Sequence, residues 1–204
     1  MYSPGAISNI QKTSGQYIML TFDDGPHGTL TPKLLDILKE KNAKATFFVM
    51  GIKAILHPNI LKRMVAEGHE VANHAWNHPI ISKVSQEVLH SQLERTSVAI
   101  KAATDVTPAL MRPPYGNTNK KVNEYITTEE NMKVIMWSLD TRDWKRPKSE
   151  EIKKHAVNTA KPGSLIYNRN YIPAYPHAHP QPIILCNSRC QATSSSVMIS
   201  TQEQ

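Results

Sequence analysis

Cysteine is almost missing from this chain of 204 residues; the two present, Cys186 and Cys190, both lie in the final segment. They staple no framework and say little about redox compartment. Long apolar runs are missing too: nothing approaches the roughly 18 uninterrupted residues of a membrane span, so no transmembrane segment is expected. Met1 to Gln16 lacks a charged start followed by an apolar core, and the chain reads as having no export signal. Lysine and arginine outnumber the acidic residues 24 to 17, for a formal charge of +7. The lysines are dispersed, however, and no basic run is interleaved with aromatics. The charge therefore concerns association with anionic surfaces rather than chemistry, and no nucleic acid partner is expected. A hydrophobic content of 40% is enough for one well-buried domain.

From Tyr17 to Ile166, short apolar runs alternate with longer amphipathic ones, the pattern of repeated βα units around a parallel sheet. Strands are expected at Tyr17 to Leu20, Ala45 to Val49, Glu70 to Ala72, Ala109 to Met111, Lys133 to Trp137 and Ser164 to Ile166. Helices are expected at Leu30 to Lys41, with Thr31 as cap, and at Pro58 to Glu67, Ser85 to Ala102, Lys120 to Thr127 and Ser149 to Thr159. Every polar cluster follows a strand. Beyond Ile166, proline, serine and glutamine replace periodicity, and the segment reads as lacking regular structure. The division is an N-terminal extension (1–14), an α/β domain (15–166) and an aberrant tail (167–204).

Chemistry concentrates where Tyr17 to Leu20 runs into Thr21 Phe22 Asp23 Asp24 Gly25 Pro26. Gly25 and Pro26 force a turn, so the two carboxylates sit at the C-terminal end of a strand, the end that carries function in α/β sheets. His74 and His78 are spaced i, i+4, and Asp24 can complete a facial His, His, carboxylate set for a divalent metal, zinc first, with cobalt or manganese as alternatives. Such an ion brings the pKa of water to around 7 and polarises a carbonyl. Asp23 is then free to act as general base, with Arg112 as the guanidinium that holds it. An acidic pair alone is more often a turn that caps a helix, and a lone Trp after a strand, as in Asp143 Trp144, more often packs than binds. His27, His57, His69, His90 and His155 have no partners at ligand spacing and read as surface or loop residues. The spacing of His177, His179, Cys186 and Cys190 suits no standard zinc module.

Thr21 to Pro26, the run Asn73 His74 Ala75 Trp76 Asn77 His78 Pro79, then Arg112 Pro113 Pro114 Tyr115 Gly116, and finally Asp143 Trp144 stand in the order and rough spacing of a known family. The chain resembles the polysaccharide deacetylases of the NodB homology type, carbohydrate esterase family 4, over residues 15–166. The resemblance implies a distorted (β/α) barrel of seven strands, here incomplete at its C-terminal end. It implies Asp23 as base, Asp24, His74 and His78 as metal ligands, and Arg112 as the residue that steadies the base. The backbone N–H of Tyr115 would hold the oxyanion, Pro113 and Pro114 would shape that substrate loop, and Trp144 would wall the acetyl pocket. Asp143 would orient a histidine that protonates the leaving amine. That histidine is absent, because Arg169 and Asn170 stand at its place. The abrupt change after Ile166 reads as a frameshift or truncation; an intact reading frame shared by close relatives would overturn this.

The implied activity is N-deacetylation of N-acetylglucosamine residues in peptidoglycan or a chitin-like polysaccharide, impaired in this chain. Its alternatives are an inactive glycan-binding or metal-binding remnant, a non-folding product, and a carbohydrate O-acetyl esterase. The implied partner is the N-acetylated polysaccharide, met by a monomer. The implied location is extracellular or at the cell wall, with the cytoplasm as the alternative.

Overall fold

A computed structural model describes residues 4–9 and 17–170. Its strands are β1 (Ala6–Ile7), β2 (Met19–Gly25), β3 (Ala45–Val49), β4 (Glu70–Asn73), β5 (Leu110–Met111), β6 (Lys133–Ile135), β7 (Leu139–Asp140) and β8 (Leu165–Arg169). All pair in parallel in one sheet, in the order β1-β6-β5-β4-β3-β2-β8-β7. β6 and β7 lie toward opposite flanks of that order, yet only Met136 to Ser138 separate them along the chain. The sheet must therefore curl until its flanks approach, giving a half-barrel of the expected type. Met136 N–H donates to Ile7 O and Ser138 N–H to Leu165 O, so these linking residues bond to both flanks.

The interior of the curl is filled by one small group of buried residues, Met19, Phe48, Ala72, Leu110, Ile135 and Leu165, one each from β2, β3, β4, β5, β6 and β8. Successive strand residues face opposite ways, so Phe47 and Val49 point outward instead. They meet Leu34, Leu35 and Leu38 of α1 (Leu30–Glu40), with Leu61 and Met64 of α3 (Pro58–Ala66). The spacing of three and four residues that makes α1 legible is thus the spacing of its buried stripe. α4 (Gln86–Thr104) starts at Ser85, whose hydroxyl accepts from Val88 N–H, and α5 (Lys120–Thr128) starts at Asn119, which accepts from Val122 N–H. α6 is Ser149–Thr159.

Several expectations change. α2 (Gly51–Leu56), β1 and β7 were not foreseen. β1 lies in the segment read as an N-terminal extension, and β8 runs three residues past Ile166, into the segment read as tail. Thr31 does not cap α1. It is buried inside the first turn, where its Oγ1 accepts from His27 N–H at 2.7 Å and donates to Asn170 Oδ1 at 3.0 Å. His69 lies in the loop before β4, as expected, but is buried there: its ring packs edge-on against Phe47, and Nδ1 accepts from Ala45 N–H. His177, His179, Cys186 and Cys190 lie outside the described residues.

Candidate active site

Neighbouring residues on a regular strand point to opposite faces, yet the carboxylates of Asp23 and Asp24 both approach His74 Nε2, at 3.8 and 3.4 Å. The register between β2 and β3 shifts between Asp23 and Gly25, and Asp24 takes a positive φ of 67°. This bulge re-aims the second carboxylate. Gly25 follows because a Cβ there would collide with the Asn170 side chain. The histidines arrive from β4 on a loop pinned by Asn73, whose amide donates to Leu93 O and Ser97 Oγ while its Oδ1 accepts from Ala75 N–H. Gln92 Oε1 accepts from Trp76 and Asn77 N–H, fixing the same loop to α4.

Asp24 Oδ1 lies 3.4 Å from His74 Nε2 and 3.2 Å from His78 Nε2. One ligand atom from each of the three residues lies within 4.8 Å of the others. His74 Nδ1 donates to the Arg112 carbonyl at 2.7 Å, the tautomer in which Nε2 is the nitrogen left to bind a metal once its hydrogen bond to Asp24 is given up. That tautomer, with an anionic oxygen and two imidazole nitrogens converging, fits a divalent metal. Burial pushes the Asp24 carboxyl up, but hydrogen bonds from His74 and His78 outweigh it and hold it well below the usual carboxylate range.

Asp23 is 2% exposed, and its Oδ1 accepts from Arg112 Nη1 at 2.7 Å. Burial raises its pKa above the ordinary value, against the pull of Arg112 and His74. Arg112 is wholly buried. Its other donors go to Thr21 Oγ1 (2.7 Å), Ile135 O (3.2 Å) and Met136 O (2.8 Å), and its guanidinium stacks 4.1 Å over Phe48, at the top of the barrel interior.

These side chains open on a cleft of about 340 Å³ lined by Asp23, His74, His78, Tyr115, Gly116 and Trp137, together with Asp140, Trp144, Tyr167 and Arg169. This curled parallel sheet, with its chemistry at the strand C-termini, is the architecture the four motifs implied, and the sequence profile described as polysaccharide deacetylase matches residues 10–134. The chain belongs to the polysaccharide deacetylase family. It is 42% identical over 149 residues to the peptidoglycan-N-acetylglucosamine deacetylase of Listeria monocytogenes, covering 73% of this chain but 31% of that protein. The chain thus spans about a third of that curated relative. The crystal structure of the Bc1960 peptidoglycan N-acetylglucosamine deacetylase superposes with a TM-score of 0.77 at 36% identity, covering 83% of this chain and 78% of the other. BA3943, a CE4 family pseudoenzyme from Bacillus anthracis, superposes nearly as well: TM-score 0.76 at 30% identity, covering 82% and 59%.

Within this deacetylase fold the remaining expected residues divide. Tyr115 reaches the rim in a left-handed turn (φ 60°), with its ring edge-on to His78 at 4.4 Å. Trp144 also lines the cleft, and its Nε1 donates to Asp140 Oδ2 at 3.2 Å. Pro113 and Pro114 do not line it; both are buried beneath the turn. Asp143 is buried, with no histidine against it among the described residues. Its Oδ2 accepts from Arg169 N–H at 2.7 Å, and Oδ1 has no hydrogen-bond partner among the described residues. Burial pushes its carboxyl up to about 7, against the backbone N–H groups of Arg169 and Trp144. Trp137, Tyr167 and Arg169 were missed as site residues. Trp137 and Tyr167 stack with centroids 4.5 Å apart, and Arg169 Nε forms an ion pair with Asp24 Oδ2 at 3.1 Å. The alternation of Leu165, Tyr167 and Arg169 was the signal available for the last two.

Proposed function

We propose that this chain is a metal-dependent hydrolase that removes acetyl groups from N-acetylglucosamine residues of peptidoglycan or a chitin-like polymer, weakly, at or outside the cell wall. The observation that carries the reading is the convergence of Asp24, His74 and His78 on one point beside Asp23, whose carboxylate is gripped by Arg112. Zinc is the ion we assign, held by those three residues, and when bound it supplies a polarised carbonyl and a more acidic water. Asp23, its basicity raised by burial, takes the water's proton as oxygen adds to the amide carbon. Arg112 keeps the Asp23 carboxylate aimed while the proton arrives. The Tyr115 N–H at the rim is assigned to the oxyanion, and Trp144, Trp137 and Tyr167 wall the acetyl group.

When the C–N bond breaks, acetate leaves and the amine nitrogen needs a proton. Among the described residues Asp143 has no histidine to hold for that transfer, and Arg169 does not give up a proton in the working pH range. This step makes the chain slow. An ester needs less leaving-group protonation, so carbohydrate O-acetyl groups are its easier substrates. A second reading, a glycan-binding protein without turnover, is favoured by the same lack of a histidine against Asp143 among the described residues, which leaves its Oδ1 unmatched there.

The test is zinc-dependent acetate release from N-acetylglucosamine oligomers and from an O-acetylated sugar, with Asp23→Asn as control. The expected result is slow release, faster from the ester, falling roughly 10²-fold or more in Asp23→Asn. Oligomer binding with no release from either substrate would establish the second reading instead.

A further inference from the structure

Asp24 gives its two oxygens to different neighbours. Oδ1 faces His74 and His78, while Oδ2 is held by Arg169 Nε at 3.1 Å. Arg169 is itself fixed in place. It lies beside Asp23 in the pairing of β8 with β2, its backbone N–H donates to Asp143 Oδ2, and Nε also points at Tyr167 Oη, 3.4 Å away. Its side chain is 26% exposed and lines the cleft. Lys53 brings a second cation, with Nζ donating to the Asp24 carbonyl at 2.7 Å.

A guanidinium stays charged throughout the pH range in which proteins fold. A divalent cation entering between His74, His78 and Oδ1 therefore meets a unit positive charge on the far oxygen of the one anion in that ligand set. Repulsion between charges of +1 and +2 across a single carboxylate is worth on the order of tenfold in affinity even at the dielectric constant of water. The opposing effect is orientation, because a partner that holds a ligating carboxylate commonly raises metal affinity about 10- to 100-fold. Here the direction of Asp24 is already set by the bulge, by its positive φ and by the Lys53 bond to its carbonyl. Arg169 is left with its charge as its main contribution.

We infer that Arg169 is a resident counter-cation of this metal site: it neutralises Asp24 in the absence of metal and weakens the binding of divalent ions. The inference rests on the assignment of Asp24, His74 and His78 as metal ligands. It makes occupancy of the site depend on metal concentration, with Arg169 setting the threshold.

The experiment is calorimetric titration of the full chain with zinc, comparing wild type with Arg169→Met, Arg169→Gln, Arg169→Lys and Asp24→Asn. Arg169→Met and Arg169→Gln are expected to bind zinc about tenfold more tightly than wild type, while Arg169→Lys, which keeps the charge, stays within about threefold. Gln and Lys are close in size, so a packing effect would move both alike, whereas a charge effect separates them. The Gln variant also carries the test if the Met variant does not fold. Neutral variants that bind zinc no better than wild type, while Asp24→Asn loses binding, would overturn the inference and leave the metal site standing. Binding by Asp24→Asn equal to wild type would overturn both.

Discussion

The two walls of the cleft are made from the same kind of element, a loop at the C-terminal end of a strand, but they differ in how fully their polar groups are matched. On the wall from β2, β4 and β5, each group is held by another. Arg112 grips Asp23 and Thr21, Thr21 Oγ1 donates to Ile166 O, His74 donates to the Arg112 carbonyl, and Asn73 ties the histidine loop to α4. On the wall from β7, β8 and the turn at Asp143–Lys145, Asp143 Oδ1 and Asn170 Nδ2 are buried without a hydrogen-bond partner among the described residues. Buried polar groups are paired in the great majority of cases. The first wall is thus a network that specifies its own geometry, whereas the second keeps a carboxylate with one oxygen bonded to Arg169 N–H and the other unmatched among the described residues.

The sharpest way to break this contrast is to repair the second wall. Arg169→His places an imidazole on the strand position that lines the cleft beside Asp143, and it is expected to raise acetate release by roughly 10²- to 10⁴-fold, the usual worth of general acid catalysis. Release unchanged from wild type would mean that the missing proton donor is not what limits this chain. The first wall is probed by Arg112→Met, which leaves the Asp23 carboxylate buried and unpaired. Removing one partner of a buried ion pair costs about 3–5 kcal/mol, to be read from urea unfolding at pH 7. A loss below about 1 kcal/mol would put the network's rigidity elsewhere.

The division between the walls is also the division between what could and could not be read in the sequence. β3, β4 and the helices α1, α3 and α4 announced themselves by periodicity, and the motifs stood out because they end strands. Two-residue strands such as β1 and β7 have no period to detect. The bulge at Asp24 is a relation between β2 and β3, so nothing in Asp23 Asp24 Gly25 alone displays it. β8 was cut short because Asn168 and Arg169 look like loop residues. Asn168 is nevertheless buried, donating to Thr21 O at 3.2 Å, and the polar residue that hid the strand is the one that ties it to β2. The burial of the loop residue His69 is hidden for a similar reason, since the pocket around it is supplied by Phe47 and Ala45, distant in sequence.

The smallest of these effects tests the orphaned carboxylate itself. Burial raises the Asp143 carboxyl to about 7 from an ordinary value near 3.8. The fold therefore favours its protonated form. The sign follows: the stability Asp143 contributes is fully present below the unfolded pKa and is lost as pH rises through about 7, where the fold must hold a buried charge that the backbone N–H groups of Arg169 and Trp144 offset only in part. Asp143→Asn keeps the shape and an acceptor for the Arg169 N–H but carries no charge. It is expected to be more stable than wild type at pH 8 by about 2 kcal/mol, less than the full shift implies because the new amide leaves a donor unmatched. At pH 4.5, where ionisation has cost wild type only about 1 kcal/mol, the same unmatched donor is expected to leave Asp143→Asn the less stable protein by about 1 kcal/mol. If Asp143→Asn were instead less stable at pH 8, the ionised carboxylate would have a cationic partner in the folded chain, and the second wall would be as well matched as the first.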